Sequence, residues 1–554
     1  MTDLPASTLP DGDAPTRPID LRPGSPEAEI GILPDRRRST VRNTALNGLS
    51  RIVSIVTSFL VTPVILHVVG SQAFALWVLI GSVVAYGSLL DLGIGGALTK
   101  YVAEHQARGE ASAARQTIAT GLRLYVLLGA IVAIAGIALA PVVPTLLGVP
   151  PNATALAEVT TAVMAIGLGI AIPCTTATAV LRGLHRYDVA ASLAIVGSVL
   201  SVATTLAALA LGWGIVGVIA TGLPIPIVTQ ALAVRAIRRI APDLLSGPRD
   251  HGPGSARRII GFSWPLFLLD IAGRLQSKSD EIVVGVVLSL GSVTPYALGR
   301  KLSTIPRLIA EQFAMLLLPL ASELNARDER ARLQSLYLTG VRISLAIALP
   351  LTGCLVLLAG PILELWVGPG YETGAPIVVI LAVAAVIDLS LWPAGFVLQG
   401  IARHRWLAPI SLASGVANLG LSLALAQPFG LVGVAIGTLV PTTVEAILLL
   451  TPFTLRTLAI KPGRFLAEAL VPAIVPAVPM LLTLGLLMQV LPPTSLVVVV
   501  VLVALAHIVY GLAYLAGGQA APERAVLRDL AAAAAGIRGG RRGPGRPPGS
   551  TRPD

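Results

Sequence analysis

Asp270, Arg274, Lys278 and Glu281 fall at i, i+4, i+8 and i+11 of one long apolar segment, and Arg300, Thr304, Arg307 and Glu311 repeat the pattern on the next. At helical spacing each set forms one polar stripe along an otherwise apolar helix. A charge at membrane depth costs about 2.5–3.5 kcal/mol on insertion scales, so these groups must face one another or a wet cavity. The spacing therefore predicts a polar path inside a membrane. It also allows neutralisation within each helix, Asp270 with Arg274, Lys278 with Glu281 and Arg307 with Glu311.

The elements that must position these stripes follow from composition. The 554 residues are 54% hydrophobic and only 12% charged, with a mean hydropathy of +0.81. Such a mix belongs to an all-α polytopic membrane protein. A net charge of +11 does not point to nucleic acid, because the basic residues are interspersed between apolar segments with no aromatic stacking platform. Cys174 and Cys354 lie inside apolar segments and suggest no disulfide framework. The six histidines have no histidine or cysteine partner at i+3 or i+4, so neither metal nor cofactor is expected. No nucleophile-base arrangement or phosphate-cradling loop stands out, which argues against an enzyme.

A span needs about 20 apolar residues. That criterion predicts 14 transmembrane helices at 43–67, 73–98, 117–140, 156–181, 188–211, 214–236, 259–289, 294–321, 337–362, 375–400, 406–426, 430–453, 466–490 and 496–516. Connections after every second helix carry Lys and Arg, for example Lys100, Arg108 and Arg115, whereas those such as 68–72, 141–151, 368–374 and 491–495 carry none. Both termini are therefore expected in the cytoplasm and the protein in the cell membrane. Thr120-Gly121-Leu122-Arg123 returns as Thr339-Gly340-Val341-Arg342, His185-Arg186-Tyr187 as His404-Arg405-Trp406, and Gly214-Ile215-Val216-Gly217-Val218 as Gly430-Leu431-Val432-Gly433-Val434. These near-constant offsets predict two parallel six-helix lobes around a central cavity, with two extra C-terminal helices. The expected organisation is a disordered tail (1–42), a first lobe (43–240), a linker (241–257), a second lobe (258–455), the two further helices (456–516) and a basic tail (517–554).

The stretch Leu89-Leu90-Asp91-Leu92-Gly93-Ile94-Gly95-Gly96-Ala97-Leu98-Thr99-Lys100-Tyr101, with Ser279-Asp280-Glu281-Ile282-Val283-Val284-Gly285, Tyr296-Ala297-Leu298-Gly299-Arg300-Lys301-Leu302 and Val397-Leu398-Gln399-Gly400, resembles the polysaccharide exporters and lipid-linked oligosaccharide flippases of the multidrug/oligosaccharidyl-lipid/polysaccharide superfamily. The resemblance implies alternating-access movement of a polyprenyl-diphosphate-linked glycan between leaflets for surface polysaccharide assembly. Membrane lipids, and a polysaccharide polymerase or glycosyltransferase, are the partners it suggests. Arginine offers a donor fork matched to phosphate oxygens, so Arg274 and Arg307 are expected as principal diphosphate contacts. Lys278, Arg300 and Lys301 would form a relay, and Arg51 is their first-lobe counterpart. Hydroxyls on the first helix, among them Ser54, Thr57 and Ser58, suit sugars. Asp280 or Glu281 could couple transport to protons or sodium by alternating between charged and neutral states. Asp270 and Glu311 complete the candidate coupling or ion-pair set, and Asp91 is a candidate cytoplasmic gate. Asp388 and Glu445 are expected to bond neighbouring helices. A cation-coupled multidrug antiporter is the alternative, but its cavity should be acidic.

Overall fold

The computed structural model describes residues 34–91, 93–244, 246, 267, 271, 273–276, 278–314 and 316–517, with side chains described from Ser50 onward except those of residues 51, 52, 90, 308, 309, 311, 312 and 404. Most of the expected tails and linker, Asp270, and the side chains of Arg51 and Glu311 lie outside the described residues.

Lipid cannot satisfy a backbone polar group, so apolar runs of this length close their hydrogen bonds internally as helices. Among the described residues there is no strand, and 10 helices are long and apolar enough to cross a membrane. The chain opens with α1 (Pro34–Gly87), which is two helices joined at Gly70 with φ 82° and ψ 164°. Glycine carries that positive φ without a Cβ clash. The first half continues through α2 (Ile94–Ala107), α3 (Ala111–Leu139), α4 (Thr154–Cys174), α5 (Thr176–Gly183), α6 (Tyr187–Ala210), α7 (Gly214–Gly222) and α8 (Pro224–Ile240).

The second half holds α9 (Leu290–Ser303), α10 (Ile305–Ala314), α11 (Leu317–Ala326), α12 (Arg330–Val367), α13 (Ala375–Gly400) and α14 (Leu407–Val444). The expected 294–321 span is thus broken into α9, α10 and α11. Pro306, second in α10, lacks a backbone donor and suits a helix start better than a helix interior. The α14 stretch is again two helices, joined at Gly430 with φ 59°. Its repeat mate Gly214 has φ 62°, so both copies of the motif begin on a glycine of positive φ. The last long helices are α15 (Ala477–Val490) and α16 (Leu496–Ala516), which pack on α12. An exact count of fourteen spans remains an expectation from sequence.

Small residues let α3 and α4 approach closely, since a Cβ built on Gly129 would lie 2.3 Å from the Gly169 carbonyl oxygen. The apolar cores show how the halves meet. One core combines Leu76 and Ile80 with Val283, Val293 and Ile377, and another joins Ile65 and Phe74 to Leu363 and Val378. Both lie toward the connections free of Lys and Arg. Toward the Lys- and Arg-rich connections, cores stay within one half, as with Val102, Ile118 and Ile237, or with Tyr337, Leu398 and Phe465. Among the described residues, the apolar cores join the halves at one end of the bundle and stay within each half at the other.

Candidate functional site

The second half gathers its charges around Asp280, whose side chain is fully buried. Arg300 Nη1 donates to Asp280 Oδ2 at 2.8 Å, as do the hydroxyls of Tyr296 and Thr438, both also at 2.8 Å. Ser422 Oγ donates to Oδ1 at 3.4 Å. Arg300 Nε also lies 3.5 Å from Glu281 Oε1, and Nη2 donates to the Gln276 carbonyl at 3.1 Å. Asn418 bonds Thr438 Oγ1 through Nδ2 at 2.8 Å and accepts from Ser279 Oγ at 3.2 Å. A buried carboxylate is tolerated when its lone pairs are filled and a cation faces it. Asp280 meets both conditions. Glu281 does so only in part, because its Oε2 is buried with no hydrogen-bond partner.

Immediately beyond this network lies a cavity of about 400 Å³, lined from the second half by Lys278, Glu281, Arg300 and Lys301 and from the first by Trp77 and Met164. The expected relay of Lys278, Arg300 and Lys301 is therefore one cluster, set between the halves. Lys301 reaches furthest across: its Nζ donates to the Ser58 carbonyl at 2.9 Å and to Thr62 Oγ1 on α1.

The two expected principal contacts sit elsewhere. Arg274 Nη1 donates to the Ala85 carbonyl at 3.0 Å, and Tyr86 returns a bond to the Arg274 carbonyl at 3.3 Å. Arg274 thus ties the two halves together. Arg307 is 46% exposed, lies 3.6 Å from Asp388 Oδ2, and stacks over Trp392 at 4.9 Å. Asp388 bonds a neighbouring helix as the sequence suggests, and Glu445 does too, accepting from Ser411 at 2.9 Å and Gln276 at 3.4 Å. Among the described residues, Glu281 faces Arg300 rather than Lys278 as its ion-pair partner, and Arg307 reaches Asp388 on α13; the expected pairs of Arg274 with Asp270 and of Arg307 with Glu311 involve groups outside the described residues. Asp91 accepts a short hydrogen bond from Tyr125 on α3, inside the first half. That pair opens onto a second cavity, about 560 Å³, which Arg182 also lines.

Sequence spacing did not reveal Tyr296, Asn418, Ser422 or Thr438. Asn418 and Ser422 at i and i+4 of an apolar span were the available signal. At the joined end, Trp366 Nε1 donates to the Phe59 carbonyl at 2.9 Å while the two rings stack 4.0 Å apart. Thr294 Oγ1 donates to the Ser71 carbonyl at 2.9 Å. Polar bonds and an aromatic stack thus fasten the seam between the halves.

Residues 40–325, more than half of the chain, match the model of a family described as Polysaccharide biosynthesis protein. The chain belongs to that family. This polysaccharide biosynthesis family member is 22% identical over 194 residues to "Probable low-salt glycan biosynthesis flippase Agl15" of Haloferax volcanii, a match that covers 35% of the chain and 41% of that relative. It therefore spans less than half of the relative's length. Among solved structures, "Lipid II flippase MurJ, inward closed conformation" superposes with a TM-score of 0.67 at 13% identity, covering 86% of this chain and 99% of that one. A multidrug resistance MATE family transporter of the MOP superfamily, inward-facing, gives 0.62 at 17% identity, covering 75% and 94%. The polysaccharide biosynthesis family member thus shares the all-α membrane fold of these two solved structures.

Proposed function

We propose that the protein is a flippase, which moves a polyprenyl-diphosphate-linked oligosaccharide across the cytoplasmic membrane by alternating access, for cell-surface polysaccharide assembly. The observation that carries this proposal is the convergence of Lys278, Arg300 and Lys301 on one cavity between two halves whose apolar cores, among the described residues, meet at one end of the bundle. Stripping water from a diphosphate in hydrocarbon costs many kcal/mol. Cations in a wet cleft replace part of that hydration while the polyprenyl tail stays in lipid. With both termini cytoplasmic, the separate ends face the cytoplasm and the cleft receives substrate from the inner leaflet. The lobes 43–240 and 258–455 then rock about the linker 241–257, with no bond made or broken in the substrate. A polymerase or glycosyltransferase would work on either side of this step.

Arg274 and Arg307 are proposed as later contacts, reached once their present partners, Ala85 and Asp388, let go. Asp280 and Glu281 are the coupling candidates. A proton or sodium ion that neutralises Asp280 would release Arg300 toward the phosphate, and the unpartnered Glu281 Oε2 offers a second place for either cation. Transport rates equal with and without imposed proton and sodium gradients would remove this coupling.

The experiment is reconstitution in vesicles with fluorescent lipid-diphosphate oligosaccharides, comparing wild type with Lys278→Met and Lys301→Met. Each variant should lower translocation at least about tenfold, the equivalent of losing one charge-assisted hydrogen bond. Unchanged translocation in both would remove the phosphate site. A second function, cation-coupled extrusion of cationic drugs, is supported by the buried pair Asp280 and Glu281. Drug efflux without movement of any glycolipid would establish it instead.

A further inference from the structure

A third cavity, about 530 Å³, adjoins the cationic one and is built almost wholly by the first half. It shares Trp77 and Lys301 with its neighbour. Its other polar walls are hydroxyls from two helices, Ser54 and Ser58 of α1 facing Ser198 and Ser201 of α6. The Ser54 and Ser198 hydroxyls lie 2.8 Å apart. Among the described residues lining it Lys301 is the only charged side chain, and Lys301 stands at the boundary with the cationic cavity. The two spaces therefore adjoin but are chemically unlike: one is lined by three cations and the Glu281 carboxylate, the other by neutral donors and acceptors with one aromatic wall.

We propose that this hydroxyl-lined pocket is a subsite for the first sugars of the glycan, and that it selects an uncharged pyranose next to the diphosphate. The inference rests on the flippase function above and assigns the part of the substrate that the cations do not hold. A pyranose presents hydroxyls around its rim and C–H groups on its faces. Ser and Thr hydroxyls both donate and accept, so they follow a neutral sugar in several orientations. Trp77 gives an apolar surface for a ring face, with its polar handle free to hydrogen-bond. A diphosphate that engages Lys301 leaves the next residue of the glycan against Trp77 and the α6 hydroxyls. A uronic acid placed there would bring a carboxylate into a pocket whose one described cation, Lys301, is already committed to phosphate, and it would lose hydration without a described partner.

The test uses wild type, the triple variant Ser58→Ala, Ser198→Ala, Ser201→Ala, and Trp77→Leu in vesicles. Three probes of equal chain length are compared: polyprenyl diphosphate without sugar, the same lipid bearing N-acetylglucosamine, and the same lipid bearing glucuronate. Wild type should move the neutral glycolipid about tenfold faster than the glucuronate one. The triple variant should lose about tenfold on the neutral glycolipid alone, the effect of losing two or three hydrogen bonds of roughly 0.5 to 1.5 kcal/mol each. Its rate with the sugar-free lipid should not change, which separates sugar recognition from a folding defect that would slow every probe. Equal wild-type rates for the two glycolipids, or variants that slow all probes alike or none, overturn the sugar subsite while leaving the flippase function in place. Wild type that moves no lipid diphosphate overturns both.

Discussion

The two halves of the molecule share recurring motifs and a positive-φ glycine at matching places, Gly214 and Gly430, yet they handle polar groups in opposite ways. In the first half the polar side chains are mostly hydroxyls, many bonded back to their own helix, as Thr57 Oγ1 is to the Val53 carbonyl at 2.8 Å and Thr62 Oγ1 to the Ser58 carbonyl at 2.7 Å. In the second half they are charges that tie one helix to another, such as Arg300 to Asp280 and Arg307 to Asp388. The repeat mates Arg123 and Arg342 make the contrast in one position. Arg123 is exposed, while Arg342 is 5% exposed and donates to the Glu468 carbonyl at 3.2 Å. Helices beyond the repeat cover the second half and leave the first uncovered. Duplication supplied the scaffold, and the environment of each copy decided which charges could be kept.

The contrast is broken most directly at Asp280. Asp280→Ala leaves Arg300 buried opposite a single carboxylate and should destabilise the protein by about 3–5 kcal/mol, read as thermal unfolding in detergent. Removing both partners, Asp280→Ala with Arg300→Met, should recover much of that loss; no recovery would mean that the pair is not the source of the cost. In the first half the comparable acid is Asp91, which accepts from the neutral hydroxyl of Tyr125. Tyr125→Phe should cost less, about 1.5–3 kcal/mol, because one hydrogen bond to a charged group is lost. Arg342→Met should cost about 1–2 kcal/mol through the lost carbonyl contact. Arg123→Met, its repeat mate, should stay within about 0.5 kcal/mol of wild type. Equal effects at these last two positions would erase the distinction between the halves.

Much of the fold was legible because lipid imposes a simple rule on the chain. Apolar runs gave the helices, and the recurrence of Gly214-Ile215-Val216-Gly217 as Gly430-Leu431-Val432-Gly433 gave the duplication, which Gly214 and Gly430 repeat in their left-handed backbone. The site was legible in composition but not in connectivity. Spacing along one helix can propose only neighbours at three or four residues, whereas Arg300 finds Asp280 20 residues earlier across a helix pair. Thr438 reaches the same carboxylate from a third helix. Ser198 and Ser201 stand on α6 among apolar residues and carry no charge to mark them, so only the cavity drew them together with α1.

The ionic balance of the central cleft has an electrical consequence. With both carboxylates ionised, Lys278, Arg300 and Lys301 against Asp280 and Glu281 leave a single surplus positive charge. A bound diphosphate more than cancels it, so the loaded and empty clefts bear opposite signs. On the proposed cycle a negative-inside voltage, at about 2.3 kcal/mol per charge per 100 mV, pushes the loaded form outward and draws the empty form back. One field would then drive both strokes.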